Sequence, residues 1–274
     1  LDRVRIHFAD LRDAAAVEAL IREIKPDIVY HSAAYGVRLS EHDPVVSAEI
    51  NLTGTVNLVQ ALMKVGYEQM IHTGSSAEYG IKNKPMFEED LLEPNTYYGV
   101  TKAAAGLFCQ MMGRSRKQPI LILRLLSPYG PYDEPNRLIP AVINKCLAGQ
   151  NPELSSGRES RSFFHMDDLI DLYLKVIEIK WPAGEIVNIG PGEHYSVRDI
   201  AARIIRLTGA RVTPLFGALP PREFDTDFWL ADTTKARSLF GWWPKVSIDE
   251  GLGRTIEWHR HWNENPELLA AGMR

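Results

Sequence analysis

Cysteine is almost missing from this chain. Cys109 and Cys146 stand alone, without C-x-x-C spacing. That excludes a disulfide framework and a cysteine-based zinc site, leaves no metal to expect, and suits a reducing, cytoplasmic setting. Long apolar runs are missing as well. No stretch approaches the ~18 residues of a membrane span, so no membrane partner is expected. An excess of positive charge is also lacking: 31 Lys and Arg stand against 35 Asp and Glu, for a net charge of −4. Without a basic face, nucleic acid drops out as a partner. Internal repeats and low-complexity segments are absent too. What remains, 274 residues with 45% hydrophobic and 24% charged, is ample material for one or two domains.

Strands and helices alternate through the first half. Residues 4–9 read as a strand and 11–24 as an amphipathic helix. After the Lys25-Pro26 break comes a short buried strand, Asp27-Ile28-Val29-Tyr30-His31. Residues 44–65 carry helical spacing around Ile50, Val56, Leu58 and Leu62 and stop at Gly66. A strand at 69–73, a helix at 98–114 and the aliphatic strand at 120–125 follow. Apolar strands separated by helices predict a parallel sheet covered on both faces. Such sheets bind ligands at the carboxyl ends of their strands. There the small and polar residues gather: Asp10, Ser32-Ala33-Ala34, Ser75-Ser76 and Ser127-Pro128.

One stretch organises the rest, Tyr98-Gly99-Val100-Thr101-Lys102, read together with Ser75. Residues four apart share a helix face, so the Tyr98 phenol and the Lys102 ammonium can point into one site. A nearby cation favours the phenolate and brings a phenol towards the range of a working acid or base. Ser75 ends the strand Met70-Ile71-His72-Thr73-Gly74, where a hydroxyl could bond the same substrate oxygen. Each residue has a plainer reading. Asp10 could merely cap a helix, Ala33-Ala34 could be tight packing, and Asn51 could face solvent. His31, ending a buried strand, reads as a satisfied core histidine.

Taken together and in order, these motifs resemble the extended short-chain dehydrogenase/reductases that act on nucleotide sugars, the NAD-dependent epimerase/dehydratase family. Ala9-Asp10-Leu11-Arg12-Asp13 is similar to the family's G-D-L-x-D, which implies that Asp10 and Leu11 meet the adenine of the cofactor. Residues 27–34 are similar to its D-x-V-x-H-x-A-A, with Ala33 and Ala34 admitting the cofactor to the backbone. Asn51-Leu52-Thr53-Gly54-Thr55 matches N-x-x-G-T, which places Asn51 beside the cofactor in support of the active site. Ser75 stands at the family's catalytic Ser/Thr position, four residues before Tyr79, and Tyr98 and Lys102 fill its Y-x-x-x-K.

The resemblance continues into the second half. Residues 124–131 are similar to R-x-F-N-x-Y-G-P, with Ser127 where the family usually has a substrate-touching Asn. Residues 157–168 resemble the stretch ending R-x-F-x-x-V-x-D, which makes Arg161 a diphosphate contact. Arg222 and Asp225 resemble the family's R-P-G-D and imply contacts to phosphate and to a ribose or sugar hydroxyl. Ser76 joins this substrate set. Other second-half signals are structural: a capping box at Ser196–Asp199, Asp232 as the cap of the next helix, Gly241 ending it, and Ser247 opening the last.

The implied fold is α/β, a doubly wound parallel (Rossmann-type) sheet, truncated at its N-terminus, with a smaller interleaved substrate domain. Residues 1–127 and 164–190 would form the dinucleotide domain, and 128–163 with 191–274 the nucleotide-sugar domain. The family opens with a strand, a G-x-x-G-x-x-G turn, a helix and a second strand. Here the chain starts at Leu1 inside a pattern, so roughly 50 residues are expected ahead of it. The implied cofactor is NAD or NADP, the partner a nucleotide sugar, and the assembly a homodimer.

The implied reaction is epimerisation through a 4-keto sugar. A keto-sugar reductase using the same Ser75, Tyr98 and Lys102 is an alternative, and a non-catalytic sugar-nucleotide binder is another. The family's dehydratases carry Asp and Glu directly after the catalytic Thr. Here those positions hold Ser76 and Ala77, and strand alternation would turn Glu78 away from the site. Elimination of water is therefore disfavoured.

Overall fold

The computed structural model describes residues 4–36, 41, 43–220 and 226–264. Two compact units divide the chain. The first comprises the chain up to Gly80, Glu88–Arg124 and Ile177–Val187, and the second Ile81–Phe87, Leu125–Val176 and the chain from Asn188 onward.

The first unit is built on a four-stranded sheet with β1 (Ile28–His31), β2 (Gln69–Ser75), β3 (Ile120–Leu125) and β4 (Glu185–Ile189) in that spatial order. β1 pairs with β2 in parallel, from Ile28 opposite Gln69 to His31 opposite His72. A strand order that follows the chain order, with helical crossovers, is one wing of a doubly wound Rossmann-type fold. All six residues of β3 are buried, as a strand covered on both faces requires.

Among its described residues this unit has four α-helices: α1 (Ala14–Ile24), α2 (Pro44–Ala48), α3 (Gly54–Val65) and α4 (Tyr97–Arg116). Asp13 caps α1 by accepting from the Ala15 and Ala16 N–H groups, and Lys25 ends it at φ 48°. Val17 and Ile21 of α1 meet Leu58, Val59 and Leu62 of α3 over Met70, Ile120, Ile122 and Ile186 of the sheet. Gly66, at φ 82°, stops α3 where the sequence placed the stop.

Two expectations change here. Residues 4–10 form no strand: Val4, Ile6 and Phe8 lie exposed, Phe8 at 96%. Apolar character makes a strand only where a neighbour offers a hydrogen-bond ladder, and no described strand lies against this segment. The single helix expected over 44–65 is α2 and α3 joined by a π-helical turn, Glu49–Thr53.

In the second unit, α5 (Leu138–Leu147), α7 (Val197–Thr208) and α9 (Ile248–Glu264) close a core through Ile139, Val142, Ile143, Ile200, Ile204, Leu252 and Ile256. Ser127–Tyr129 pairs in parallel with Phe163–His165, which runs directly into α6 (Met166–Val176). That pairing explains why this unit begins at Leu125 and holds α6, where the sequence suggested 128 and 164 as boundaries. Residues 81–87 join it because Met86 bridges Ala231, receiving at its carbonyl the Asp232 N–H and donating to Leu230.

The capping box of Ser196 and Asp199 opens α7 as read. Asp232 accepts from the Thr234 N–H at the start of α8 (Thr234–Phe240), and Gly241 ends that helix at φ 57°. Ser247 accepts from the Glu250 N–H at the start of α9. Among the described residues no helix is long and apolar enough to cross a membrane, and no cluster of His, Cys or carboxylates could hold a metal ion.

Candidate active site

β2 delivers Ser75 at its carboxyl end, where the chain turns into a 3-10 helix, Ser76–Tyr79. Ser75 is the N-cap of that turn. Its hydroxyl accepts from the Ala77 N–H at 3.2 Å, and its own N–H donates to Glu78 Oε1 at 2.7 Å. The sequence reading took this stretch as a strand that would turn Glu78 away. The 3-10 geometry instead folds Glu78 back under Ser75, because the capping box satisfies two otherwise unpaired N–H groups at once. Ser76 is buried in the same turn.

α4 carries Tyr98 and Lys102 one turn apart. Thr96 caps it by accepting from the Gly99 N–H at 2.9 Å. Tyr98 is half-buried and Lys102 is 2% exposed. Gly99 is what lets the Ser75 turn approach this helix: a β-carbon there would lie 2.6 Å from the Ala77 carbonyl oxygen. Gly36, at φ 94°, makes a second close approach, its missing β-carbon 3.2 Å from Tyr98 Cβ. Glycine at 99 thus lets the Ser75 turn sit against the helix that carries Tyr98 and Lys102, and glycine at 36 lets the loop after β1 approach Tyr98.

Asn51 sits in the π-turn and is 1% exposed. Its amide donates to the Tyr35 carbonyl at 2.8 Å and to Thr101 Oγ1 at 2.9 Å, and accepts from the Tyr35 N–H at 2.7 Å. With both donors taken, Asn51 ties the loop after β1 to the helix of Tyr98 and Lys102. A π-turn in mid-helix often marks such a site. The hydroxyl of Thr55 donates to the Asn51 carbonyl and accepts from His31 Nε2 at 2.8 Å. His31 is thus the satisfied core histidine the sequence suggested. Burial, aided by the charge of Lys102, lowers its pKa to about 3.

At the carboxyl end of β1, Ala33 and Ala34 are exposed. An open hollow is lined by Phe8, Ala9, Asp10, Leu11 and Ile50. Asp10 takes a bidentate guanidinium from Arg12, with a 2.6 Å contact to Oδ2, and the Arg12 N–H as well. These bonds lower its pKa to about 2 and keep it an acceptor. Leu11 packs onto Gly54, whose β-carbon would lie 2.8 Å from Leu11 Cβ, and Asn57 holds the Leu11 carbonyl at 2.9 Å. An exposed carboxylate, a small-residue loop and an open hollow fit the amino group and flat rings of an adenine dinucleotide.

The interior beneath the site holds what sequence reading missed. Glu78 is fully buried and accepts from Arg124 Nε at 2.7 Å. Arg124, equally buried, also donates to the Tyr79 hydroxyl at 2.9 Å and lies over that ring. Burial pushes the Glu78 carboxyl up, and the adjoining Arg124 opposes it. Burial also pushes Lys102 down, with the Glu78 charge opposing. The signals were present: Arg124 opens the R-x-F-N-like motif, Glu78 adjoins Tyr79-Gly80, and Gly99, Gly106 and Gly113 recur every seventh residue along α4.

The substrate residues expected in the second half fall in the other unit. Ser127 is buried and donates its N–H to the Ser162 carbonyl at 3.1 Å. Arg161 lies over the Trp229 ring at 5.1 Å and donates to the Ser160 carbonyl. Arg222 and Asp225 lie outside the described residues.

The model of the NAD dependent epimerase/dehydratase family matches residues 1–190. A UDP-glucose 4-epimerase of Mycolicibacterium smegmatis is 29% identical over 269 residues, covering 95% of this chain and 84% of that protein. The mouse dTDP-D-glucose 4,6-dehydratase is 31% identical over 265 residues, covering 92% and 72%. Among solved structures, the UDP-glucuronic acid 4-epimerase of Bacillus cereus, in complex with UDP-glucuronic acid and NAD, superposes with a TM-score of 0.83 at 29% identity, over 92% of this chain and 80% of that one.

Proposed function

Because this chain belongs to the NAD-dependent epimerase/dehydratase family, we propose that it is an NAD-dependent nucleotide-sugar epimerase that inverts C4 of a nucleotide hexose. The observation that carries the reading is the Ser75 turn seated against α4 at Gly99, beside the one face that bears Tyr98 and Lys102. The first unit is the dinucleotide unit in this reading, with Asp10, Leu11, Ala33, Ala34, Tyr98 and Lys102 holding NAD and Asn51 bracing them. The second is the sugar-nucleotide unit, with Ser127, Arg161, Arg222 and Asp225 as its contacts.

Tyr98 takes the proton of the C4 hydroxyl, and Ser75 donates a hydrogen bond to the oxygen as it becomes a ketone. Lys102 favours the phenolate by its charge and binds the cofactor ribose. When bound, NAD supplies the acceptor and then the donor of hydride. Once the keto sugar presents its other face, Tyr98 returns the proton to the new alcohol.

Elimination of water is not served by this turn. Ala77 has no proton to transfer, and both oxygens of Glu78 are engaged, by Arg124 and by the Ser75 N–H. The reading carries a cytoplasmic enzyme with two buried thiols. It also carries a homodimer, which the exposed Val100, Leu107 and Met111 along α4 would serve. Sedimentation tests the dimer.

The experiment that tests the activity is incubation with UDP-, GDP-, CDP- and dTDP-hexoses and a catalytic amount of NAD, with the products resolved by NMR. The C4 epimer is expected. A 4-keto-6-deoxy sugar would place the chain with the dehydratases, and oxidation that stops once the added NAD has been reduced, leaving a keto sugar, would mark a reductase running in reverse.

A further inference from the structure

The Glu78 carboxylate lies in a slot between two glycines. A β-carbon on Gly74 of β2 would come within 2.8 Å of Oε1, and one on Gly106 of α4 within 3.3 Å of Oε2. Arg124 Nε donates to Oε2 and the Ser75 N–H to Oε1, each at 2.7 Å. A guanidinium on one oxygen and an N–H on the other is the donor set that suits a carboxylate, and the Arg124 charge opposes the upward push of burial. Gly106 is one turn beyond Lys102, so the face of α4 that meets Glu78 is the face that carries Lys102.

Among the described residues, the Lys102 charge acts on His31 on β1, His72 on β2, Glu78 and Cys109, with Arg124 on β3 behind Glu78. Burial holds both imidazoles neutral and pushes the Cys109 thiol up to about 12. Glu78 is thus the anion of this interior.

We propose that Glu78 is a positioning residue of the reaction centre: clamped by Arg124, it fixes the backbone of Ser75 and supplies the buried negative charge that keeps Lys102 a cation beside Tyr98. The inference rests on the reading of Tyr98 and Lys102 as the catalytic pair. It adds a purpose for a buried carboxylate that the reaction itself never touches. Burial works against the charged form of Lys102 and the Glu78 charge opposes that effect, and a neutral amine would no longer favour the Tyr98 phenolate.

The test is Glu78→Gln, which keeps the shape and removes the charge. The alkaline limb of its pH–rate profile should move to lower pH by about one unit or more. In the cofactor-free protein, the ε-carbon NMR signal of Lys102, assigned by its loss in Lys102→Met, should titrate at a midpoint lowered to match. A role confined to packing would lower turnover equally at all pH values and leave that midpoint in place, and this result overturns the proposal.

Should Glu78→Gln fail to fold with Arg124 left unpaired, the double variant Glu78→Leu/Arg124→Leu decides, since a buried ion pair can often be exchanged for apolar residues without loss of stability. A lowered Lys102 midpoint in the double variant supports the proposal, and a wild-type midpoint refutes it. The NMR titration needs no substrate. A protein inactive on every nucleotide sugar would sink the proposed function and still leave Glu78 to be judged by Lys102.

Discussion

Replacing Gly99 by alanine tests how the site is assembled. The added methyl would lie 2.6 Å from the Ala77 carbonyl oxygen, 3.0 Å from Pro94 Cβ and 3.1 Å from Thr96 Oγ1. The nearest of these is backbone, so the Ser75 turn must retreat by about 0.8 Å or more to reach ordinary contact distance. Ser75 moves with it, because its hydroxyl accepts from the Ala77 N–H. A misplacement of ~1 Å can remove ~10²-fold of rate, so Gly99→Ala is expected to lower kcat by about 10- to 100-fold with little change in KM. Stability should change less. Helix propensity returns at most ~1 kcal/mol, while overpacking removes ~1–3 kcal/mol. The control is Gly113→Ala, about 21 Å further along the helix axis, where the methyl would fall on the backbone of Gly184. That variant should melt at a clearly lower temperature and keep its kcat. Wild-type kcat in Gly99→Ala, or an equal loss of kcat in Gly113→Ala, would refute the idea that glycine at 99 seats the Ser75 turn.

Tyr98→Phe should lose at least ~10²-fold in turnover while calorimetry still finds nucleotide-sugar binding; near-normal turnover would remove Tyr98 as the base. Asn51→Ala leaves the Tyr35 N–H and carbonyl without the Asn51 amide and removes a donor from the Thr101 hydroxyl, so melting should show a loss of about 1–3 kcal/mol together with lower kcat. His72 is fully buried with neither ring nitrogen bonded, and its pKa is held well below the ordinary value by burial. The unfolded imidazole takes up a proton near pH ~6.5 while the folded one does not. Stability from this group is therefore present above that pH and falls, by up to about 1.4 kcal/mol per pH unit, as pH drops below it. His72→Phe should flatten the decline of melting temperature between pH 6.5 and 4, and an unchanged decline would show that His72 does not drive it.

How far the sequence was legible depends on the range of the signal. Tyr98 and Lys102 on one face, the helix stops at Gly66 and Gly241, and the box of Ser196 and Asp199 are local. Spacing and capping chemistry determine them, and the structure has each in place. The segment 4–10 shows the opposite case. Its apolar residues suggest a strand, but a strand exists only with a partner, and partnership is not written in one segment.

Glu78 was misjudged because alternation along a strand was carried one residue too far. The cap formed by Ser75 had already ended the strand, and the 3-10 turn redirected the side chain inward. Arg124 was read only as part of a motif, since nothing near it in the sequence reveals a partner 46 residues away. The strap at 81–87 belongs to the second unit through Met86 and Ala231, a pairing across most of the chain. Long-range contacts of this kind decided the place of Arg124 and of the 81–87 strap, while the Glu78 turn was decided by a local cap.

The central claim is that C4 is oxidised and then reduced from the other face within one turnover. A nucleotide hexose bearing deuterium at C4 tests it directly, incubated with the protein and a catalytic amount of NAD, with the product examined by NMR. The C4 epimer should form with its deuterium retained at C4 and no net reduced cofactor accumulating. Deuterium lost to solvent from C4, or a keto sugar as the lasting product, would contradict the account.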